Sequence, residues 1–214
     1  MIIVNSTLFA QICVINDEDG YTNVRKEPDY NSEIIYKLRD SEVFIYPVLA
    51  DEYDSDWLRV EIKKNKYSID LDYPNYSIKG YIHKSRLLEI DKLEKYHGND
   101  VVFKYEIVDF TIENKYLDYK GNWITEINGR RYYGTDGGKP SNEIKTIIVK
   151  IEGKEIIIPK VLFEDLFNCN NNFEIYKNKG DYIISQWNSD GAGGYLLTWV
   201  LNTNGLKQRF IWIP

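Results

Sequence analysis

The sequence predicts a mainly β protein in two domains, and three observations lead there. Strand-favouring side chains are plentiful, with 18 Tyr, 5 Trp and 8 Phe among 214 residues, while alanine, the strongest helix former, is nearly absent. Short runs alternate apolar and charged residues at period two, most clearly Trp57-Leu58-Arg59-Val60-Glu61-Ile62. Asp-Gly, Glu-Gly and Asn-Gly turn pairs punctuate these runs. Hydrophobic residues at 43% and charged residues at 28% supply a packed core and exclude global disorder.

The elements follow in chain order. Residues 1–10 (MIIVNSTLFA) are apolar and end in Leu8-Phe9-Ala10. They read either as a first strand or as the tail of a secretory signal without its charged start. Residues 12–15 are a short apolar run, and Asp17-Glu18-Asp19-Gly20 is a turn. Residues 21–25 follow as a strand, then a loop over 26–32 carrying Pro28, then a strand at 34–38. The strand at 42–49 holds Pro47, which suits an edge or a bulge. Residues 51–56 form an acidic loop. After the strand from Trp57, residues 63–77 make a Tyr-rich excursion, residues 80–83 close the set, and 84–88 form a short helical turn.

Three segments of this half carry a resemblance. Gly20-Tyr21-Thr22-Asn23-Val24-Arg25-Lys26-Glu27-Pro28 resembles the opening signature of bacterial SH3 (SH3b-like) domains. Trp57-Leu58-Arg59-Val60 is similar to their Trp-led strand, and Gly80-Tyr81-Ile82-His83-Lys84-Ser85-Arg86-Leu87 to their closing strand. The resemblance implies an SH3-like barrel over residues 14–90, a binding or scaffolding module. The stretch between Val60 and Gly80 is longer and more aromatic than the pattern requires. Independently of the resemblance, Val24 points inward, Asn23 and Arg25 outward, and Arg25 is placed to pin its loop. Gly80 permits a bend before the last strand.

Residues 91–100 read as a charged linker, and 101–214 as an antiparallel β domain with one short helix. Residues 122–127 and 130–133 flank Asn128-Gly129 as a hairpin, and 145–151 with 154–158 flank Glu152-Gly153 as another. The segment 159–168 (PKVLFEDLFN) is the helix: Pro159 suits its first turn, and Val161, Leu162, Leu166 and Phe167 recur near a 3.6 period. Residues 182–187 and 195–201 pair around 188–194, and Asn204-Gly205 turns the chain into a last strand at 208–213. The runs 133–140 and 189–195 are similar to a β-rich domain of bacterial proteins without an established activity, which implies a boundary and no chemistry.

The charge pattern limits the partners. Net charge is −6. The first 96 residues hold 18 acidic and 13 basic side chains (−5), and the remainder holds 15 and 14 (−1). No basic stripe marks a nucleic-acid or anionic-membrane partner, and no stretch reaches the roughly 20 apolar residues that span a bilayer. A cationic partner suits the first half. Cys13 and Cys169 are the only cysteines. They either pair across the domains of an exported protein or stay as buried thiols.

Catalytic and metal patterns are weak. Cys169 with His97 is the one thiol–imidazole candidate, and Cys169 lies at an Asn-rich exit rather than at a helix head. His83 and His97 have no Cys or second His nearby, so no zinc site is expected. Asp51, Glu52, Asp54 and Asp56 form an oxygen-rich loop that lacks the Gly and closing Glu of a calcium loop. Asp190-Gly191-Ala192-Gly193-Gly194 is followed by a strand and not by Lys-Ser/Thr and a helix, so its glycines are expected to supply positive φ, with Asp190 capping the turn through its side chain. Asp136 and Asp190 stay open as functional carboxylates. No cofactor, metal or catalytic residue is therefore assigned.

The contact candidates are Tyr21, Tyr53, Trp57 and Tyr81, with Asp54 and Asp56 beside them, as a face for a peptide or cell-wall fragment. For each aromatic, packing in the barrel is the plain alternative. The expected function is non-catalytic binding of a peptide or peptidoglycan in a bacterial cell envelope, in the periplasm or secreted; a cytoplasmic protein is the alternative. Two rivals stay open: an immunity protein whose acidic face covers a cationic toxin, and a hydrolase in the C-terminal half.

Overall fold

The structure, a computed structural model, describes residues 10–47, 55–69 and 76–213. The expected signal remnant falls mostly on residues 1–9, outside the described residues, as do Tyr53 and Asp54. The fold is mainly β, with several antiparallel sheets and no α-helix among the described residues. No helix there is long and apolar enough to cross a membrane. The chain divides into two compact units. One holds the described residues up to Lys64 and from 76 to Glu94; the other holds residues 65–69 and Lys95–Ile213.

The first unit is a seven-stranded sheet. Its strands are β1 (Ala10–Ile15), β2 (Tyr21–Arg25), β3 (Ile34–Arg39), β4 (Phe44–Pro47), β5 (Trp57–Lys63), β6 (Ser77–His83) and β7 (Leu87–Glu89). Their order in the sheet is β3-β2-β6-β5-β4-β1-β7. Alternation decides which face is buried. Val24, Leu38, Val60, Ile62 and Ile82 turn inward, and with Cys13, Ile15 and Phe44 they form one core. The sheet curls around that core without closing, which corrects the barrel. Closure would need the edges β3 and β7 to pair. The three residues of β7 are all matched to Cys13–Ile15 on one side, and no pairing joins β7 to β3. Gly80 is needed for close approach: a Cβ there would lie 2.7 Å from the Arg25 carbonyl oxygen and 2.7 Å from Val24 Cγ1. The expected turn after β6 is a 3-10 turn at Lys84–Arg86, capped by His83.

The second unit contains β8 (Glu94–Lys95, at the junction), β9 (Val101–Asp109), β10 (Leu117–Lys120), β11 (Trp123–Ile127), β12 (Asn142–Ile151), β13 (Lys154–Glu155), β14 (Glu174–Asn178), β15 (Asp181–Asn188), β16 (Tyr195–Asn202) and β17 (Gly205–Trp212). These form sheets of order β13-β12-β9, β10-β11 and β17-β16-β15-β14-β8. The inner faces of β9, β12, β15 and β16 share a core that includes Tyr105, Val149, Ile184, Leu197 and Trp199. The β12–β13 hairpin turns at Glu152-Gly153, both at positive φ, as a tight primed turn requires. Asn128-Gly129 also turns at positive φ, but Ile127 and Arg130 make only an isolated bridge, and β11 pairs instead with β10.

The helix expected over 159–168 is absent and is replaced by a 3-10 turn at Lys160–Leu162. The backbone beyond it bonds elsewhere: Phe167 N–H donates to the Tyr133 carbonyl (3.0 Å), and the Asp165 carbonyl accepts from Tyr133 N–H (2.9 Å). Leu166 enters the main core while Phe167 enters a smaller cluster with Phe110, Ile124 and Ile127. An amphipathic helix buries one stripe. An extended segment sends neighbouring side chains into two cores, and that greater burial wins.

Buried beside this segment is an ion pair. The Arg209 Nη2 donates to both Asp165 oxygens at 2.9 and 2.8 Å, with the two side chains 0% and 4% exposed. Arg209 Nε and Nη1 have no hydrogen-bond partner among the described residues.

Candidate functional site

In the first unit, the outward positions of β2, β5 and β6 create a groove of about 210 Å³. Trp57 and His83 are direct cross-strand partners, which brings their rings to 5.8 Å at 88°. Tyr30 comes from the loop after β2 and is 63% exposed. Its ring lies 4.9 Å from that of Trp57, edge-on, and 5.8 Å from His83, stacked. The loop is held in place at several points. Arg25 Nη1 donates to the Ser32 carbonyl (2.7 Å), Glu27 N–H donates to Ser32 Oγ (2.9 Å), and Asn31 N–H donates to Asp29 Oδ1 (2.7 Å). Arg25 thus pins its loop through a carbonyl.

The other wall is polar. Asp17 is buried and accepts from Arg86 Nη1 at 3.1 Å and from the Asp19 backbone N–H at 3.2 Å. Asp19, Arg25 and Arg86 also line the groove, and Asn23, another lining residue, has a buried Oδ1 without a partner. His83 Nδ1 accepts from the Ser85 backbone N–H, so its neutral ring carries the proton on Nε2, which the turn leaves uncommitted. The site combines an aromatic platform with a short charged end.

Of the residues expected here, Tyr21 and Trp57 line the groove. Tyr21 also carries Lys37 Nζ 4.1 Å above its ring. Tyr81 shares their face but lies between Arg25 and Arg59 in register and does not line the groove. Asp56 is likewise outside it. Its carboxylate is held by Lys84 at 2.6 Å, and that hydrogen bond, followed by the Lys84 charge, lowers its pKa. Tyr30 and His83 also line the groove and were missed from the sequence, because the Trp57–His83 pairing and the bonds that aim the Tyr30 loop exist only in the fold.

The second unit brings together the two glycine-bearing runs, 133–138 and 189–195. Ser189 Oγ donates to the Gly134 carbonyl at 2.7 Å, and a concavity of about 260 Å³ lies between the runs. Asp190 caps its turn through its carbonyl, which accepts from Gly193 N–H at 3.1 Å, and not through its side chain. Gly191 takes positive φ. Gly193 and Gly194 do not, and they serve close approach instead: a Cβ on Gly193 would lie 2.8 Å from Thr135 Cα.

The thiols are free and buried. Cys169 Sγ sits 3.0 Å from Tyr195 Oη, and burial pushes its pKa up to about 12. A thiol in that setting stays protonated and closed to substrate. His97 is exposed. Among the described residues no three His, Cys, Asp or Glu side chains group to hold a metal ion. In comparisons with known proteins, the chain matches no family model, no curated protein and no solved structure.

Proposed function

We propose that the first unit is a non-catalytic recognition module of the bacterial SH3-like kind, working in the cell envelope, and that the Tyr30–Trp57–His83 groove takes a peptide or the peptide portion of a cell-wall fragment. The observation that carries this reading is the aromatic triad itself. Three rings from three chain segments meet within 5.8 Å at the surface, where water alone would not favour so much apolar area. Such platforms hold extended chains by stacking, and the adjacent Asp19 and Arg25 offer charge at one end. The three signature segments also fall on β2, β5 and β6, which are neighbours in the sheet.

The test is co-sedimentation of the purified protein with peptidoglycan sacculi, alongside binding to cationic peptides. Retention is expected, and Trp57→Ala should weaken it about 30-fold, the effect of losing an anchor worth about 2 kcal/mol. Absence of retention on both, with the protein folded, refutes the proposal.

A further inference from the structure

The second unit holds a concavity that the recognition groove does not use. Its walls are the two glycine runs, and at three of their glycines a side chain would not fit. An added Cβ on Gly193 would meet the Thr135 backbone, and one on Gly194 would lie 2.9 Å from the Trp187 ring. The ring of Trp123 leaves no room for a Cβ on Gly137. Each of these glycines lines the concavity. Two indoles therefore pack against glycines of the lining, Trp123 on Gly137 and Trp187 on Gly194. Trp123 comes from β11 and Trp187 from β15, and they remain 56% and 47% exposed.

The polar groups divide into committed and free. Tyr132 Oη and Thr135 Oγ1 bond to each other at 3.0 Å, and Thr135 Oγ1 donates to the Gly138 carbonyl at 2.9 Å. Arg131 and Asp136 line the same space, are exposed, and form no hydrogen bond or ion pair with the described residues. The free inventory is one guanidinium fork, one carboxylate and two indole surfaces.

We infer that this concavity binds a neutral saccharide. Vicinal hydroxyls both donate and accept, and they match a carboxylate and a guanidinium bidentately. The C–H faces of a pyranose suit an indole. An inorganic anion would meet Arg131 but be opposed by Asp136, and a purely apolar ligand would strip water from both charges without replacing it. At about 260 Å³ the space falls just below the roughly 300–1,000 Å³ of drug-sized pockets, the size for a sugar ring with its neighbours lying over the rim. The Gly137 and Gly194 contacts each seat an indole before binding, which lowers the ordering cost.

The experiment titrates the full chain with chitohexaose, cellohexaose and maltohexaose, read by calorimetry and by tryptophan fluorescence. Saturable binding of at least one is expected. Trp123→Ala and Asp136→Asn should each weaken it about tenfold or more, about 1.4 kcal/mol, while Trp57→Ala leaves it unchanged and so separates this site from the groove of the first unit. Asp136 is an exposed loop carboxylate, so its variant keeps the test sound even if Trp123→Ala disturbs the hairpin. No binding of any of the three to folded protein overturns the inference. So does glycan binding indifferent to Asp136→Asn, or binding of inorganic phosphate that Asp136→Asn strengthens.

Discussion

Replacing Asp165 with Asn strands a charge. Arg209 is fully buried, and its Nε and Nη1 have no hydrogen-bond partner among the described residues. Among the described residues its one neutralising contact is the pair of bonds from Nη2 to Asp165, at 2.9 and 2.8 Å. Asn keeps the shape and one acceptor but removes the countercharge. Breaking one side of a buried pair costs about 3–5 kcal/mol. Asp165 also holds Arg130 at 3.4 Å, but Arg130 keeps Glu164 at 2.8 Å, so the penalty concentrates on Arg209. With a urea slope of about 2 kcal/mol/M, the midpoint of the second unit should fall by about 1.5–2.5 M. The assay is urea unfolding followed by the near-ultraviolet signal of Trp199, which lies opposite Arg209 in the β16–β17 register. The double variant Asp165→Leu/Arg209→Met should recover most of the loss, because it removes both charges together. A midpoint shift below about 0.3 M for Asp165→Asn, on the same scale, would show that the pair is not desolvated and would refute the reasoning.

Two further outcomes follow from packing and burial. Gly80→Ala places a methyl 2.7 Å from a carbonyl oxygen and 2.9 Å from Ile35 Cδ1; the net cost of about 2–3 kcal/mol should lower the melting temperature of the first unit by about 10 °C or more, read by calorimetry. An aromatic disulfide reagent should leave both cysteines untouched in the native protein at pH 8 and modify both in denaturant. In pH-dependent unfolding, the Cys169 thiol has an ordinary value of 9.0 and a folded value of about 12. Its contribution is full below pH 9 and is lost as pH rises toward 12; Cys169→Ala should flatten part of that alkaline decline, with buried Tyr105 and Tyr195, raised in the same direction, supplying the rest.

Legibility in the sequence followed the range of the interaction. Period two located β5 because its burial alternates over Leu58, Val60 and Ile62. Glu152-Gly153 located its hairpin because a primed turn is a property of two residues. Asn128-Gly129 made its turn yet did not choose its partner, since β11 found better pairing on β10. The stretch 159–168 matched a helical period while its neighbours entered two separate cores, a fact about surrounding sheets that no local pattern contains. Tyr21 and Trp57, which the signature motifs singled out, line the groove. Tyr30 was not singled out, because the Ser32 and Asp29 bonds that aim its loop become visible only in three dimensions. The Arg209–Asp165 pair spans 44 residues and left no trace in spacing.

The short stretch 65–69 has a consequence for how this protein can be taken apart. It lies in sequence between β5 and β6 of the first unit, yet it belongs to the second. There the Lys66 carbonyl accepts from Arg209 N–H at 2.9 Å, and Ser68 Oγ accepts from Ile211 N–H at 3.4 Å. A clone beginning at residue 95 would therefore leave these buried donors of β17 unmatched, at about 1–3 kcal/mol for each. A clone ending at residue 94 would carry a loop cut off from its home. The two halves are interleaved in the polypeptide, so recombining either with a foreign neighbour requires transplanting that loop as well.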